Sequence, residues 1–367
     1  MSDTVSFLDL KANVASVRNE LLDATARVID SGWFVLGKET AEFEREYASY
    51  CDTAHCVGVA NGLDALTLAL RALGIGEGDE VLVPANTYIA TWLAVSHVGA
   101  TPVPVEPVEA TYNIDPERIA AAITPRTRAI LPVHLYGQPA DLPAIRAIAA
   151  KHNLHVLEDG AQAHGASCYG DRIGAGSSLV AWSFYPGKNL GALGDGGGIT
   201  TQSAELSERI EVLRNYGSRV KYYNEVIGYN SRLDELQSAL LRIKLQRLDA
   251  DNLRRKTIAA RYLQGLQDSG IALPFVPEWA DPVWHLFVIR HPDRGDFAER
   301  LKADGIATMI HYPVPPHLQP AYASAGIKLG SLPITERIHR EVLSLPMGPA
   351  MTDEDVERVI AAVRSNI

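Results

Sequence analysis

Short apolar segments of strand length alternate with helical segments along the first two thirds of the chain. The apolar segments are bounded by Gly, Pro and Asn, and apolar residues recur with helical spacing between them. This alternation predicts an α/β fold with a mostly parallel central sheet and helices on both faces. Ligands of such sheets bind at the carboxyl ends of the strands. The predicted strands cover residues 57–60, 80–84, 101–105, 129–133, 155–159, 179–184 and 198–201.

The pattern changes in the C-terminal third of the chain. Residues 232–265 have the spacing of one long helix that carries many charges. The remainder contains two short predicted strands, at residues 284–290 and 308–312, and a final predicted helix at residues 353–365. We therefore predict a smaller C-terminal α+β domain, which the long helix joins to the α/β domain.

The length of 367 residues agrees with one large domain and one smaller one. We place the large domain at residues 1–245, including an N-terminal segment, and the small domain at residues 246–367. Apolar residues make up 47% of the chain, which is enough for a full core.

Charge and cysteine content exclude several classes of partner and site. The net charge of −10 argues against nucleic acid or an anionic membrane surface as a partner. Cys51, Cys56 and Cys168 form no CxxC pair, so neither a disulfide framework nor a zinc site is expected. The first residues lack the regions of a signal peptide, and no apolar run is long enough to span a bilayer. We therefore expect a cytoplasmic protein.

The turn that follows the first predicted strand has the features of an anion site. Asn61-Gly62 permits a tight turn, and the helix that begins there has several N–H groups without an intrahelical acceptor. These donors and the helix dipole attract a phosphate group. The alternative is an ordinary strand-to-helix turn in which Asp64 stabilises the helix start.

An acidic residue, Asp159, ends the predicted strand at residues 155–159. A carboxylate held there can keep a heteroaromatic nitrogen protonated, because a nearby negative charge raises the pKa of that nitrogen. Pyridoxal 5′-phosphate (PLP) needs this environment to act as an electron sink. A metal-binding acid with His164 as a second ligand, or a helix cap, would also place an acid here.

A hydroxyl residue and a lysine follow the next predicted strand in the segment Ser183-Phe-Tyr-Pro-Gly-Lys188. A lysine in a partly apolar pocket can have its pKa lowered enough to become a nucleophile. The alternative is a solvated loop lysine. The glycine-rich segment at residues 191–198 lacks the order of a Walker phosphate loop, so that type of site is excluded.

Tyr88 follows the predicted strand at residues 80–84, and it would either stack on a flat cofactor or pack in the core. Together, an anion turn, an aromatic ring, an acid and a lysine follow successive strands of one predicted sheet. Because the carboxyl ends of parallel strands meet at one edge, this arrangement indicates a shared cofactor site.

These segments resemble those of the DegT/DnrJ/EryC1/StrS sugar aminotransferases, which are PLP enzymes of fold type I. The resemblance covers nearly the whole chain and implies that fold, with PLP as cofactor. It also implies a homodimer whose active sites lie at the subunit interface. The matching segments are Asn61-Gly-Leu-Asp-Ala-Leu, Pro84-Ala-Asn-Thr-Tyr, Pro132-Val-His-Leu-Tyr-Gly, Glu158-Asp-Gly-Ala-Gln-Ala-His-Gly, Ser183-Phe-Tyr-Pro-Gly-Lys-Asn-Leu-Gly, Gly228-Tyr-Asn-Ser-Arg and Leu343-Ser-Leu-Pro-Met.

The resemblance implies a role for each cofactor-binding residue. Lys188 would form the Schiff base with PLP and move protons, and Asp159 would pair with the pyridine nitrogen. Gln162 would form a hydrogen bond with the phenolic oxygen of the ring, and Tyr88 would stack on the ring. The implied phosphate contacts are the amides of Gly62 and Leu63, the hydroxyl of Ser183, and Asn230 from the neighbouring subunit.

The resemblance also implies a reaction. Lys188 implies transamination, since some relatives with histidine at this position catalyse dehydration. The lysine segment is most similar to the branch that aminates C3 of a dTDP-linked 3-keto-6-deoxyhexose, with L-glutamate as the amino donor and a dTDP-3-amino-3,6-dideoxyhexose as the product. The alternatives are amination at C4 of a UDP- or GDP-linked 4-keto sugar and, from another class, a catalytically silent PLP-binding regulatory protein.

Five further residues are candidates for binding the substrate. Tyr185 replaces a histidine that is common in other branches and would contact the sugar, as would His311 and Tyr312. Arg219 and Lys221, in a predicted loop, are candidates for contacting the pyrophosphate, although solvated loop charges would give the same pattern.

Overall fold

The computed structural model describes residues 4–367, and seven strands in that range form one central sheet. All strands of the described residues, in this sheet and in three smaller ones, are β1 (His55–Val59), β2 (Glu80–Pro84), β3 (Thr101–Val105), β4 (Thr127–Ile130), β5 (His155–Asp159), β6 (Ser167–Cys168), β7 (Asp171–Arg172), β8 (Leu179–Ser183), β9 (Gly197–Thr201), β10 (Ser218–Val220), β11 (Tyr223–Asn224), β12 (Ala280–Asp281), β13 (Phe287–Arg290) and β14 (Val342–Leu345). The central sheet has the order β1-β9-β8-β5-β4-β2-β3. Neighbours from β3 to β8 pair in parallel, whereas β9 runs antiparallel to β1 and β8. This confirms the mostly parallel sheet that the sequence predicts.

Helices precede, connect and follow these strands. They are α1 (Leu10–Ala15), α2 (Arg18–Ser31), α3 (Lys38–Tyr50), α4 (Gly62–Ala72), α5 (Ala90–His97), α6 (Pro116–Ala122), α7 (Leu142–His152), α8 (Ala204–Arg214), α9 (Glu235–Leu245), α10 (Leu248–Gly265), α11 (Arg294–Ala303), α12 (Pro333–Glu341) and α13 (Asp353–Ser365), with short 3₁₀ helices at Leu135–Gly137, Pro316–Leu318 and Pro320–Ala325. Within residues 4–367, none of the helices combines the length and apolar character needed to cross a bilayer.

Alternate residues of the strands face two separate cores, which places helices on both faces of the sheet. Ala181 packs with α4, α5 and α8, whereas its neighbours Val180 and Trp182 pack with α3 on the other face. Farther along that second face, Ile130 packs against α6 and α7. Because side chains alternate along a strand, apolar residues at successive positions require cover on both sides.

The C-terminal part of the chain has its own core around α10, α13 and the β13–β14 pair. Phe287 and Leu345 are opposite each other in this pair, and they pack with Tyr262 of α10 and Val359 of α13. Val5, near the start of the chain, is buried in the same core. The predicted final helix is present as α13.

The prediction of one long helix over residues 232–265 is wrong, because the chain bends after Leu245. α9 ends there, and α10 begins at Leu248. Leu240 of α9 packs against α2, whereas Tyr262 of α10 packs in the C-terminal core. The bend lets the two helices cover different cores. The domain boundary predicted after residue 245 lies at this bend and stays a prediction.

Two strands predicted in the C-terminal part differ from the structure. Residues 308–312 form no strand, since Met309 makes only an isolated bridge to Ser344. The segment that follows is rich in proline, which lacks the N–H group needed to extend a ladder. The strand predicted at residues 284–290 is shorter, because only β13 is paired.

Candidate active site

Four strands that run in the same direction end at one edge of the central sheet. β1 leads into α4 through Asn61, β2 precedes Tyr88, β5 ends at Asp159 and β8 ends at Ser183. β9 runs the other way and therefore begins at this edge, where Gly197 pairs with Ser183. The fold thus brings together residues that follow separate strands in the sequence.

The start of α4 and the end of β8 approach each other closely. A Cβ atom added to Gly62 would lie 2.6 Å from the Cβ atom of Ser183. Asn61 caps the helix, since its side chain accepts a hydrogen bond at 2.8 Å from the N–H group three residues later. In the described part of the chain, the N–H groups of Gly62 and Leu63 have no protein acceptor. Two donors at a helix start beside a serine hydroxyl fit a phosphate group.

Asp159 is buried at the end of β5 and is held from two sides. Its Oδ2 accepts a hydrogen bond from the Thr91 hydroxyl at 3.0 Å, and its Oδ1 accepts one from the Ala161 N–H at 3.1 Å. Burial raises the pKa of this carboxyl group, while the two hydrogen bonds and the charge of Lys188 favour its ionised form. Because the chain continues into turns, Asp159 is not a helix cap.

His164 binds protein groups through both ring nitrogens, which excludes it as a metal ligand. Its Nε2 lies 2.9 Å from the Ser183 carbonyl oxygen and must donate, so its Nδ1 accepts from the Tyr47 hydroxyl at 2.7 Å. Burial lowers the pKa of His164 to about 3, and the ring is therefore neutral. Among residues 4–367, no group of three or more metal-binding side chains occurs. His164 instead holds the end of β8 in place.

Lys188 lies partly buried on the loop after β8, so it is not a solvated loop lysine. The next residue, Asn189, anchors the loop by donating to Asn252 Oδ1 at 2.9 Å and to the Val283 carbonyl oxygen at 3.0 Å. Burial lowers the pKa of Lys188 to about 8, although the negative charge of Asp159 acts in the opposite direction. At pH 7 about a tenth of such amines would be neutral, far more than for an ordinary lysine.

Gln162 connects the sheet edge to Tyr312. Its Oε1 accepts a hydrogen bond from the Tyr136 N–H at 2.6 Å, and its Nε2 donates to the Tyr312 hydroxyl at 3.1 Å. The ring of Tyr312 lies 5.0 Å from that of Tyr88, measured between centroids. Because 51% of the surface of Tyr88 is exposed, this ring does not pack in the core and is available to a ligand.

His311 lies beside Tyr312 at the same cleft. Its Nδ1 is 2.9 Å from the hydroxyl oxygen of Ser344, and its ring stacks on Phe7 with the centroids 5.6 Å apart. Burial and the charge of Lys188 lower the pKa of His311 to about 4, so the ring is neutral at pH 7.

The remaining predicted contacts are exposed. Tyr185 is on the lysine loop, with 59% of its surface accessible. Arg219 and Lys221 belong to the separate hairpin of β10 and β11, where Arg219 donates to Glu225 at 3.1 Å. Asn230 follows this hairpin and is exposed. Its Oδ1 accepts a hydrogen bond from Arg232 at 2.5 Å.

The sequence predictions missed two side chains that contact site residues. Thr91 binds Asp159, and it lies four residues after Thr87, whose hydroxyl is 3.0 Å away. The sequence does contain a signal for this contact, namely two hydroxyl residues four positions apart just after a predicted strand. Phe7 stacks on His311, but these residues are at opposite ends of the chain, and no local pattern signals their contact.

Comparison with known proteins gives close matches over almost the full length. The model of the DegT/DnrJ/EryC1/StrS aminotransferase family matches residues 15–364. The dTDP-3-amino-3,4,6-trideoxy-alpha-D-glucose transaminase of Streptomyces venezuelae is 58% identical over 361 residues, which cover 98% of this chain and 95% of that protein. The dTDP-3-amino-3,6-dideoxy-alpha-D-galactopyranose transaminase of Aneurinibacillus thermoaerophilus is 56% identical over 359 residues, which cover 98% of each chain.

Solved structures give the same result. The crystal structure of S. venezuelae DesV in complex with a ketimine intermediate superposes with a TM-score of 0.98 at 58% identity, covering 99% of this chain and 98% of that chain. Structures of more distant relatives are in the pyridoxamine phosphate (PMP) or the PLP form.

Proposed function

Since the chain belongs to the DegT/DnrJ/EryC1/StrS aminotransferase family, we propose that it transfers an amino group from L-glutamate to C3 of a dTDP-linked 3-keto-6-deoxyhexose. The product is a dTDP-3-amino-3,6-dideoxyhexose. The observation that carries this proposal is the high identity to two transaminases of dTDP sugars whose names place the amino group at C3. C4 amination of a UDP- or GDP-linked sugar, and a catalytically silent regulator, have less support.

The protein is a PLP-dependent transaminase. Bound PLP supplies an electron sink for the carbon that loses its proton. Asp159 would keep a proton on the ring nitrogen, and Thr91 together with the Ala161 N–H keeps the carboxylate oriented. Tyr88 would stack on the ring, and Gln162 would form a hydrogen bond with its phenolic oxygen.

The phosphate site is built from backbone as much as from side chains. The N–H groups of Gly62 and Leu63 and the hydroxyl of Ser183 would hold the phosphate, and the buried His164 fixes the backbone of Ser183. Leu63 contributes only its amide, because its side chain packs against the core of α4 and α5.

Gly62→Ala is expected to weaken PLP binding by about 10- to 100-fold, because the new methyl group would push Ser183 away from the helix start. Equilibrium dialysis of PLP against the apoenzyme measures the effect. Gly295→Ala is the matched control, since a Cβ atom there meets no atom within 4 Å, and it should leave PLP affinity unchanged. Equal affinity in the two variants would contradict the phosphate assignment.

Lys188 moves protons during the reaction. In its neutral form, Nζ would accept the proton from the α-carbon of the amino donor and, once protonated, would act as the general acid of the same half-reaction. The lowered pKa of Lys188 makes this neutral form accessible near pH 8. Asp159, which raises the pKa of Lys188, limits the shift.

The rate at which PLP attaches covalently to the apoenzyme should rise with pH and level off above about 8. Only the neutral amine attacks the aldehyde, and the neutral fraction of Lys188 grows until the pH passes its lowered pKa. Borohydride trapping at timed intervals measures the rate. A rate that continues to rise toward pH 10.5, as for an unperturbed lysine, would contradict the lowered pKa.

The substrate contacts extend to a second subunit. Tyr185, His311 and Tyr312 bind the sugar within one chain. Three further residues are exposed on a single chain: Arg219, Lys221 and Asn230. We place them at the active site of the partner subunit in a dimer. There the two basic residues would contact the pyrophosphate, and Asn230 would contact the cofactor phosphate. The hairpin and Asn230 therefore belong to the interface of a homodimer.

Mixing two inactive chains should test the shared site. When Lys188→Ala chains are refolded together with Asn230→Asp chains, the mixed dimers contain one site with neither change. Activity should return toward about a quarter of the wild-type value, as expected for random pairing at equal amounts. Absence of any recovery, with mixed dimers verified by mass spectrometry, would place Asn230 in its own subunit's site.

A panel of keto-sugar nucleotides tests the substrate assignment. With L-glutamate as donor, kcat/KM should be highest for the dTDP-linked 3-keto-6-deoxyhexose and lower for its UDP counterpart. A UDP- or GDP-linked 4-keto sugar should be a poor substrate. The proposal fails if the 4-keto sugar has the higher kcat/KM.

A further inference from the structure

A buried side-chain amide of α10 connects the loop that carries Lys188 to the end of β8. Asn252, near the start of α10, has only 4% of its surface exposed. Its Nδ2 donates to the His164 carbonyl oxygen at 2.8 Å, and its Oδ1 accepts a hydrogen bond from Asn189 Nδ2 at 2.9 Å. Asn189 directly follows Lys188 in the chain. One side chain therefore joins the lysine loop to the histidine that holds the end of β8.

Two backbone carbonyl groups fix the direction of every hydrogen bond in this network. The His164 carbonyl oxygen can only accept, so Nδ2 of Asn252 must face it and Oδ1 must face Asn189. The Val283 carbonyl oxygen likewise orients Nδ2 of Asn189, whose Oδ1 then accepts from Nδ1 of His285 at 3.2 Å. Neither amide can turn over without placing its oxygen against another acceptor. The network therefore has a single arrangement.

Gly165 makes room for this contact. Its φ of +91° lies in the left-handed region that favours glycine. A Cβ atom added there would lie 2.9 Å from Nδ2 of Asn252 and would also collide with the hydroxyl group of Tyr50. A side chain at position 165 would therefore block the approach of Asn252 to the His164 carbonyl group.

The network reaches both ends of the predicted cofactor site. At one end, Nε2 of His164 donates to the Ser183 carbonyl oxygen at 2.9 Å, beside the predicted phosphate position. At the other end, the anchored Asn189 fixes the backbone next to Lys188. Because Asn252 binds both His164 and Asn189, it restricts movement of the lysine loop relative to the end of β8.

We propose that Asn252 is a positioning residue for Lys188, which it holds at a fixed distance from the phosphate site. It acts through Asn189 and His164 rather than on the cofactor itself. The inference rests on the proposed function, because it takes Lys188 as the residue that binds PLP. It goes beyond that function by making a residue of α10 determine how fast the bond to PLP forms.

Asn252→Ala should slow the covalent attachment of PLP to the apoenzyme by about 10- to 100-fold, because displacing a reacting group by about 1 Å can cost about 100-fold in rate. Borohydride trapping at timed intervals measures the rate. The affinity for PMP, which has no aldehyde and does not react with Lys188, should be unchanged in equilibrium dialysis. The hydrogen bonds of the His164 ring to Tyr47 and Ser183 remain in this variant. A purely structural role of Asn252 would not separate the two measurements.

Tyr262→Phe is the matched control for Asn252→Ala. Tyr262 is buried on the same helix, and its hydroxyl donates to the Pro346 carbonyl oxygen at 2.9 Å. The substitution likewise deprives a backbone carbonyl group of its side-chain donor, so the thermal midpoint should fall. The rate of PLP attachment should stay at the wild-type value, because this hydrogen bond does not reach the lysine loop.

Asn252→Asp keeps the test valid if Asn252→Ala does not fold. The carboxylate has the same shape and can accept from Asn189, but in its ionised form it cannot donate to the His164 carbonyl oxygen. We expect an attachment rate between those of the wild type and Asn252→Ala.

A wild-type attachment rate in the folded Asn252 variants would overturn the proposal. A loss of PMP affinity as large as the loss of attachment rate would also overturn it. Trapping of PLP in Lys188→Ala would overturn the assignment of Lys188, and the proposal with it. Failure of the sugar panel alone would leave the role of Asn252 standing, because attachment of PLP involves no sugar.

Discussion

Lys188→Ala is expected to reduce kcat by at least about 10⁴-fold, because the same amine attaches the cofactor and moves the proton. The loss should be seen in kcat with saturating keto sugar and L-glutamate, measured by chromatography of the amino sugar nucleotide. Borohydride treatment should no longer fix the cofactor to the chain.

The control for this variant has to exclude loss of fold. Lys151→Ala removes an exposed lysine on α7 and should retain full activity. The Lys188→Ala chain should still bind PMP non-covalently, because Gly62 and Ser183 are untouched. If Lys188→Ala retains substantial transaminase activity, the catalytic assignment is wrong.

Asp159→Asn is expected to lower kcat by about 10- to 1,000-fold. An adjacent opposite charge shifts a pKa by about 1–3 units, and each unit corresponds to a tenfold change in the protonated fraction of the ring nitrogen. The amide keeps the hydrogen bond from Thr91 within reach but removes the charge. Transient kinetics of the half-reaction with L-glutamate measures the change, and a pH titration of the cofactor absorbance should shift with it.

Glu158→Gln is the matched control for Asp159→Asn. It removes a buried negative charge at the neighbouring position, where the side chain belongs to a different hydrogen-bond network. Glu158 accepts hydrogen bonds from His134 at 3.2 Å and Arg146 at 3.0 Å, and Arg146 also binds Ser177. This substitution should lower the thermal midpoint without changing the cofactor titration, since it leaves Arg146 without its charged partner. An equal loss of kcat in both variants would contradict a specific role for Asp159.

Features that depend on local pattern could be predicted from the sequence. Gly62, Asp159, Ser183 and Lys188 each follow an apolar strand, and parallel strands end at one edge, so their convergence follows from topology. Burial of the strands on both faces follows from their continuous apolar composition.

Features that depend on contacts between distant segments could not be predicted. The bend after Leu245 occurs without proline or glycine, because it is set by the positions of two cores. The missing strand at residues 308–312 reflects pairing with β14 that is limited to the single bridge between Met309 and Ser344. The environment of Arg255, whose hydrogen bonds reach Trp284 and Met347, is likewise defined only by the folded chain.

The position of the transferred nitrogen tests the proposed reaction most directly. The holoenzyme is incubated with ¹⁵N-labelled L-glutamate and an equimolar mixture of the dTDP-linked 3-keto- and 4-keto-6-deoxyhexoses, and the product is examined by ¹⁵N–¹³C correlation NMR. We predict that the label is bonded to C3 of the sugar. A label bonded to C4 would contradict the assignment of this chain as a C3 aminotransferase. A sugar nucleotide that carries no label at the end of the incubation would also contradict it.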